Sequence, residues 1–314
     1  MIKKVALLAG GVGGAKMASG FALLDQIELS VIVNTGDDFR HLGLAISPDI
    51  DTVTYTLAGI SSKQHGWGIE SDTRKVMQTL KSYGGETWFD IGDQDFATSI
   101  YRTSKMDEGW SLTQITNQIS THLGVKTNIT ILPMSDDVVS TMVHTEEGIL
   151  PFQTYFVKRR CIPRISGFSF PGIEKAKPTL NVITAIEEAE IIVIAPSNPW
   201  VSIAPILNLN GFRDIVEHKT IIAVSPLIGG KTVKGPAAKM FSELGIRPSN
   251  YSIAQFYSGI LNGIFIDNID AEDVEDIEKM GIFCISTNTL MKNRIIAKKL
   301  AQDILKHSQC LELF

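Results

Sequence analysis

What most constrains this chain is a succession of short, unbroken apolar runs, each ending in turn residues. Val5–Ala9 runs into Gly10-Gly11, Leu29–Val33 into Asn34-Thr35-Gly36-Asp37-Asp38, and Ile129–Leu132 into Pro133-Met134-Ser135-Asp136-Asp137. Ile191–Ala195 leads into Pro196-Ser197-Asn198-Pro199, Ile221–Val224 into Ser225-Pro226, Ile264–Ile266 into Asp267, and Ile282–Ile285 into Ser286-Thr287-Asn288. Runs without polar alternation suit strands covered on both faces, as in a parallel sheet.

Helical patterns lie between these runs: Ala15–Leu24, a stretch from Ser111 to Leu123, Thr179–Glu188, Pro236–Leu244, Ala271–Met280 and Thr289–Lys306. Ser111 reads as an N-cap, with Gly124 just past the far end. Strand alternating with helix predicts an α/β fold with a mostly parallel sheet flanked by helices. Residues 138–175 break the rhythm. Val139–Thr145 and Ile149–Val157 read as a hairpin, followed by Arg159, Arg160 and Arg164, so a small inserted subdomain is expected within one domain spanning 1–314.

Composition narrows the function classes. The net charge is −5 and charged residues make up 20%, which gives no electrostatic footprint for nucleic acid. No apolar stretch reaches the roughly 18 residues of a membrane span. The first apolar run is too short for a secretory h-region and ends in glycines, so it reads as a buried strand. Cys161, Cys284 and Cys310 are odd in number and far apart, which fits a reducing cytoplasm and supports neither a disulfide framework nor a zinc knuckle.

The first run ends in Gly10-Gly11-Val12-Gly13-Gly14-Ala15-Lys16. Glycines there let phosphate oxygens approach backbone N–H groups at a helix start, or simply let a strand–helix turn pack closely. The Walker spacing is absent, and Lys16 stands where the third glycine of a dinucleotide fingerprint belongs, which counts against a dehydrogenase. Gly11, Gly13, Gly14 and Lys16 are the candidate nucleotide- or phosphate-binding residues. Ser197 and Asn198 add donors at another strand end, as do Ser225 and Gly229-Gly230-Lys231 further on.

Acidic residues collect at strand ends and turns: Asp37 and Asp38, Asp49 and Asp51, Asp90, Asp93 and Asp95, Asp136 and Asp137. A single such Asp is usually a turn former or helix cap. Several clusters beside a phosphate-type turn suggest Mg²⁺, a hard ion held by one or two carboxylates together with substrate phosphates. Asp37, Asp38 and Asp49 are the candidate ligands. The six histidines are scattered, and no nucleophile elbow is present. Trp67 and Trp88 lie near the acidic turns, either as core packing or as a wall for a flat aromatic substrate.

Several motifs occurring in order make the pattern specific. They are the glycine run, Asn34-Thr35-Gly36-Asp37-Asp38, Ser47-Pro48-Asp49-Ile50-Asp51-Thr52, Gly66-Trp67-Gly68, Ile91-Gly92-Asp93, Leu132-Pro133-Met134-Ser135-Asp136-Asp137, Ala195-Pro196-Ser197-Asn198-Pro199 and Val224-Ser225-Pro226-Leu227-Ile228-Gly229-Gly230. Together, and over nearly the whole chain, they resemble the 2-phospho-L-lactate transferase family of coenzyme F-420 biosynthesis. The resemblance implies a Rossmann-like fold, a homodimer and a Mg²⁺-dependent transfer. The donor would be a guanosine-diphospho-activated hydroxy acid, lactyl or enolpyruvoyl. The acceptor would be the deazaflavin Fo, and the products F-420-0 or its dehydro form and GMP.

The resemblance places the deazaflavin contacts on Asp51 and on the position of Asp90, with Trp67 nearby; the family's usual Arg after Gly-Asp is here Gln94. Asp51, backed by Asp49, is then the candidate catalytic carboxylate that orients or deprotonates the acceptor hydroxyl. A helix-cap role for Asp51, with Thr52 beginning a helix, competes with this. Asp51→Asn would keep a cap and lose a base, so a folded, inactive variant is the expectation. A second reading is a non-catalytic nucleotide-sugar-binding regulator of a related bacterial family that shares the glycine run. The Pro48-Asp49-Ile50-Asp51 and Gly66-Trp67-Gly68 segments favour the transferase.

Overall fold

All seven apolar runs enter one parallel sheet. The computed structural model describes residues 2–233 and 235–311, and the Cys310 side chain lies outside the described residues. The strands are β1 (Lys3–Ala9), β2 (Ile27–Val33), β3 (Ile129–Pro133), β4 (Ile191–Ile194), β5 (Ile221–Val224), β6 (Gly263–Asp267) and β7 (Phe283–Thr287). Their order across the sheet is β7-β6-β5-β4-β1-β2-β3, every neighbouring pair parallel. The chain therefore builds outward one way from β1 through β2 to β3, then restarts on the other side of β1 at β4. This is the doubly wound, Rossmann-like order, and the reversal between β1 and β4 opens a crevice at the strands' carboxyl ends.

The absence of alternation in the runs has its expected cause. Val5, Leu7 and Ala9 of β1 join one core with Val31, Val193, Ile222 and Phe265. Ala6 and Leu8 join the opposite core with Ile32, Ile194, Ala223 and Ile264. Both faces of the strand are dry, so both sets of side chains must be apolar.

The labelled helices are α1 (Gly11–Phe21), α2 (Pro48–Leu57), α3 (Asp93–Asp107), α4 (Leu112–His122), α5 (Leu180–Glu188), α6 (Ala237–Glu243) and α7 (Arg294–Leu311). Ser111 forms a complete capping box with Gln114, and Thr179 caps α5. Two stretches that read as helices differ. Ala271–Met280 is a 3₁₀ turn, Asn268–Asp273, followed by a short helix, Val274–Glu278. The last helix starts at Arg294 rather than Thr289, because Thr289 is tied back to the end of β6 through its N–H and hydroxyl on Asp267 Oδ2.

Residues 142–169 carry a separate antiparallel sheet of Met142–Thr145, Gly148–Pro151 and Ile165–Ser169. The second arm of the expected hairpin is cut short, since Thr154–Lys158 coils into a π-helix. Among the described residues no helix is long and apolar enough to cross a membrane.

Candidate active site

The glycine run is not a free loop. Gly10 is the N-cap of α1 and the helix begins at Gly11, four residues earlier than periodicity suggested, because glycines carry no apolar signal. Space explains the glycines at 10, 13 and 14. A Cβ on Gly13 would collide with the backbone carbonyl of Pro196, and one on Gly14 would meet Ala9 Cβ at 2.8 Å. A Cβ on Gly10 would sit 2.6 Å from Asp49 Oδ2 and 2.7 Å from Ser202 Cβ. Gly11 has φ +61°, a conformation that favours glycine. The first turn of α1 is thus wedged between the end of β1 and the segment after β4.

Ser197 and Asn198 hold that wedge. The Ser197 hydroxyl donates to the Gly10 carbonyl at 2.7 Å and accepts from the Gly10 N–H at 3.2 Å. Asn198 Oδ1 accepts from the N–H groups of Trp200 and Val201, capping the π-helix Pro199–Ile203. The crevice beside them is lined by Val12, Gly13 and Lys16 of α1, Pro196 and Asn198 after β4, Ser225 and Pro226 after β5, and Thr289, Leu290 and Met291 after β7. The antiparallel pair Leu227–Ile228 and Lys231–Thr232 borders it, anchored where Asp270 accepts the Gly229 N–H at 2.9 Å.

On the other side of the first turn of α1 lie the acids. Asp49 Oδ1 accepts the Gly11 N–H at 2.8 Å, and its Oδ2 accepts from Asn34 Nδ2 at 3.0 Å. Burial pushes the Asp49 carboxyl up to about 6, with these two hydrogen bonds holding it back. Asp37 is driven well above the usual carboxylate range by burial and then by the neighbouring charge of Asp49. Asp38 is raised by burial, opposed by its hydrogen bond from the Ser47 hydroxyl at 2.7 Å and by Arg102. Asp37 Oδ1 and Asp38 Oδ1 are both buried with no hydrogen-bond partner.

Asp51 is not a helix cap. α2 starts at Pro48 with Ser47 before it, so Asp51 lies in the first turn, where its own N–H donates to the Ser47 carbonyl. Proline at the first helical position explains the early start. The Asp51 carboxylate is buried in an ion pair with Arg102 of α3, a residue that no sequence motif marked. Burial raises the Asp51 carboxyl and Arg102 opposes the rise. One buried guanidinium thus faces Asp51 directly with Asp38 near it.

Of the remaining acids, Asp93, Asp136 and Asp137 serve the local backbone, and Asp90 and Asp95 pair with side chains. Asp93 accepts the N–H groups of Lys75 and Val76, at the start of the helix Lys75–Ser82. Asp72 reciprocates on Gln94 and Asp95, at the start of α3. Gln94 contributes its backbone N–H there and its side chain is exposed. Asp95 accepts from the buried Tyr55 hydroxyl at 2.8 Å and is pushed up to about 7, chiefly by burial. Asp90 is exposed and paired with Arg74 at 2.9 Å. Asp136 accepts from Thr113, and Asp137 from the Lys177 N–H.

Of the two tryptophans, Trp67 is 43% exposed in a turn beside His65. Trp88 packs edge-on against His41, with ring centroids 5.1 Å apart, on the hairpin of Phe39–His41 and Leu44–Ile46 that joins Asp38 to Ser47. The structure therefore gathers Asp37, Asp38, Asp49 and Asp51 at one place and leaves Asp90 and Trp67 on more exposed segments.

Comparison with known proteins agrees with this architecture. The family described as 2-phospho-L-lactate transferase CofD matches residues 5–290. The chain is 38% identical to the 2-phospho-L-lactate transferase of Methanosarcina mazei, covering 96% of this chain and 99% of that protein. It is 36% identical to the phosphoenolpyruvate transferase of Streptomyces griseus over 96% and 98% of the two chains. Among solved structures, a UPF0052 family protein of Bacillus halodurans superposes with a TM-score of 0.63 at 16% identity, over 97% of this chain and 99% of that one. That likeness is one of fold.

Proposed function

Because this chain belongs to the 2-phospho-L-lactate transferase family, we propose that it transfers a phospho-hydroxyacid from a guanosine-diphospho-activated donor to a ribityl hydroxyl of the deazaflavin Fo. The group transferred is 2-phospho-L-lactate or its phosphoenolpyruvate counterpart. The hydroxyl oxygen attacks the phosphorus that bears the acid, the bond to the bridging oxygen breaks, and GMP leaves. The products are F-420-0, or its dehydro form, and GMP. Formation of a cytoplasmic homodimer belongs to the same reading.

The observation that carries the proposal is the convergence of Asp37, Asp38, Asp49 and Asp51 beside the first turn of α1, with the crevice on that turn's other side. The crevice, at the reversal of strand order, suits the nucleotide. Val12, Gly13, Lys16 and Asn198 are the residues assigned to it. The acceptor is assigned to the side of the turn where the acids gather, with Asp51, Asp90 and Trp67 assigned to Fo.

A Mg²⁺ ion fits the acidic side. The buried Oδ1 atoms of Asp37 and Asp38 lack partners, and burial raises both carboxyls. A nearby cation relieves that cost. Among the described residues no three His, Cys, Asp or Glu side chains make up a metal-holding group, so the protein would offer this ion two carboxylates, in keeping with an ion that is usually bound through one or two carboxylates with water and substrate phosphates. Asp37 and Asp38 would hold it. When bound, it neutralises phosphate charge and polarises the bonds to phosphorus.

Asp49, a candidate ligand by its place among the acidic turns, is assigned the proton instead. A carboxyl pushed up to about 6 is matched to accepting a proton near neutral pH, and its hydrogen bonds from the Gly11 N–H and Asn34 Nδ2 fix its orientation. Asp51, held by Arg102, orients the acceptor hydroxyl. Incubating the protein with Fo, Mg²⁺ and the lactyl, enolpyruvoyl and glyceryl donors in parallel, and reading product masses, tests the proposal. Release of GMP with a mass gain on Fo is expected for at least one donor; no Fo adduct from any of them would overturn it.

A further inference from the structure

We propose that Arg102 is a positioning residue of this site. Its guanidinium holds the Asp51 carboxylate and the hairpin of residues 39–46 in one fixed relation, and this relation sets how the acceptor hydroxyl is presented. The inference rests on the assignment of the acceptor to the side where the acids gather.

Arg102 is 1% exposed, an unusual place for an arginine. Its Nη2 donates to Asp51 Oδ1, and its Nη1 donates to the Ala45 carbonyl at 3.2 Å. The N–H of Ala45 donates in turn to the hydroxyl of Thr103, the next residue of α3, at 2.8 Å. Both backbone polar groups of Ala45 are therefore held by consecutive residues of one helix. Ala45 lies between Asp38, which precedes the hairpin, and Asp49, which follows it. A single fork on α3 thus ties together α2, through Asp51, and the short segment that spaces Asp38 from Asp49.

The planar guanidinium reaches two acceptors in different elements at once, which a lysine ammonium on its flexible stem does not reproduce. The third guanidinium nitrogen, Nε, is buried without a partner. Such a group costs free energy, so the side chain has not been placed for the most complete hydrogen bonding. A purely cohesive role is poorly served by this arrangement, since a well-packed apolar pair of similar volume often holds two helices as well as a buried ion pair.

The test compares Arg102→Met and Arg102→Lys with the parent in the Fo transfer assay, alongside GDP titration. Arg102→Met is expected to bind GDP within about threefold of the parent while losing on the order of 10²-fold in kcat/KM for Fo, the scale of a misplaced reacting group. Arg102→Lys, which keeps the charge, is expected to recover about tenfold of that loss. Parent values of kcat and Fo KM in Arg102→Met would overturn the proposal, as would a parallel loss of GDP affinity, which marks general damage.

If Arg102→Met does not fold, Arg102→Lys decides alone. A raised Fo KM at unchanged GDP affinity supports the proposal, and parent values of both kcat and Fo KM overturn it. A parent protein that neither binds nor converts Fo overturns the functional reading and this inference with it. An active parent beside an equally active Arg102→Met variant overturns this inference only.

Discussion

Asp49 Oδ1 accepts the Gly11 N–H at 2.8 Å, so the first amide of α1 is satisfied by a carboxylate of the protein itself. Helix starts favour anions, and here the anion comes from α2. The contact fixes Asp49 against the first turn of α1, between the crevice and the other acids. Asp49→Asn keeps an acceptor for Gly11 but cannot take a proton. We expect a folded variant, weakened by about 1 kcal/mol, with turnover reduced roughly 10²–10⁴-fold. In the parent, kcat/KM should fall as pH drops through about 6, as Asp49 becomes protonated. Steady-state rates against pH check both.

Asp51→Asn does not give the clean separation that the sequence suggested. It leaves the Arg102 guanidinium buried without its counter-charge. Breaking a buried pair from one side typically costs about 3–5 kcal/mol. A clear fall in melting temperature should therefore accompany loss of transfer, where a cap-preserving change would leave it unmoved. Thermal melts of the two Asp→Asn variants side by side measure the contrast.

Gly13→Val should damage packing as well as binding. The added Cβ meets the Pro196 carbonyl, which is backbone and cannot swing away. Stability and GDP affinity should fall together, and Gly13→Ala should already lose on the order of 1–3 kcal/mol through overpacking. Denaturation and GDP titration of Gly13→Ala check this.

Chelation should abolish transfer and Mg²⁺ should restore it. Mg²⁺ with GDP should raise the melting temperature of the parent, since a ligand bound only by the folded state stabilises it. Asp38→Asn should lose most of that rise, because it removes a buried carboxylate whose Oδ1 has no partner. Differential scanning with and without the ion reads this directly.

Asp95 gives a stability signature away from turnover. Its folded carboxyl is pushed up to about 7, chiefly by burial, from an ordinary value of 3.8. Between those values the folded protein keeps a proton that the unfolded chain releases. The stability contributed by this group is present below about pH 4 and is lost as pH rises to about 7. Asp95→Asn can still accept from the Tyr55 hydroxyl and does not titrate. Its melting temperature should vary less with pH between 4 and 7 than the parent's, which melting curves across that range will show.

Much of the fold was legible because the central strands are buried on both faces, while β7 at the sheet's edge still carries an apolar run. Desolvation forces such segments to be apolar throughout, and that mark survives in the linear sequence. The runs behind Lys3–Ala9 through Phe283–Thr287 all carry this mark, and the cap Ser111 was legible from a local signal; the cap role of Thr179, read as the first residue of its helix, emerged only in the structure. The start of α1 was not, because Gly11, Gly13 and Gly14 look like a loop until the neighbouring backbone of Pro196 is in view. α3 was missed, and α2 was read only as a helix beginning at Thr52, because their facing sides carry polar pairs, Asp51 with Arg102 and Tyr55 with Asp95, that blur the apolar periodicity.

The sequence by itself determined the α/β class, the parallel sheet, the family and the set of acidic turns from which the site is drawn, since each depends on composition and order along the chain. Only the tertiary structure decided which acids meet. Asp37, Asp38, Asp49 and Asp51 converge beside α1, while Asp72 and Asp93 cap each other's helices and Asp136 caps another. It also decided that Arg102, 51 residues along the chain, pairs with Asp51. Burial and pairing set the charge state of a carboxyl, and both are properties of the packed fold rather than of neighbours in the chain.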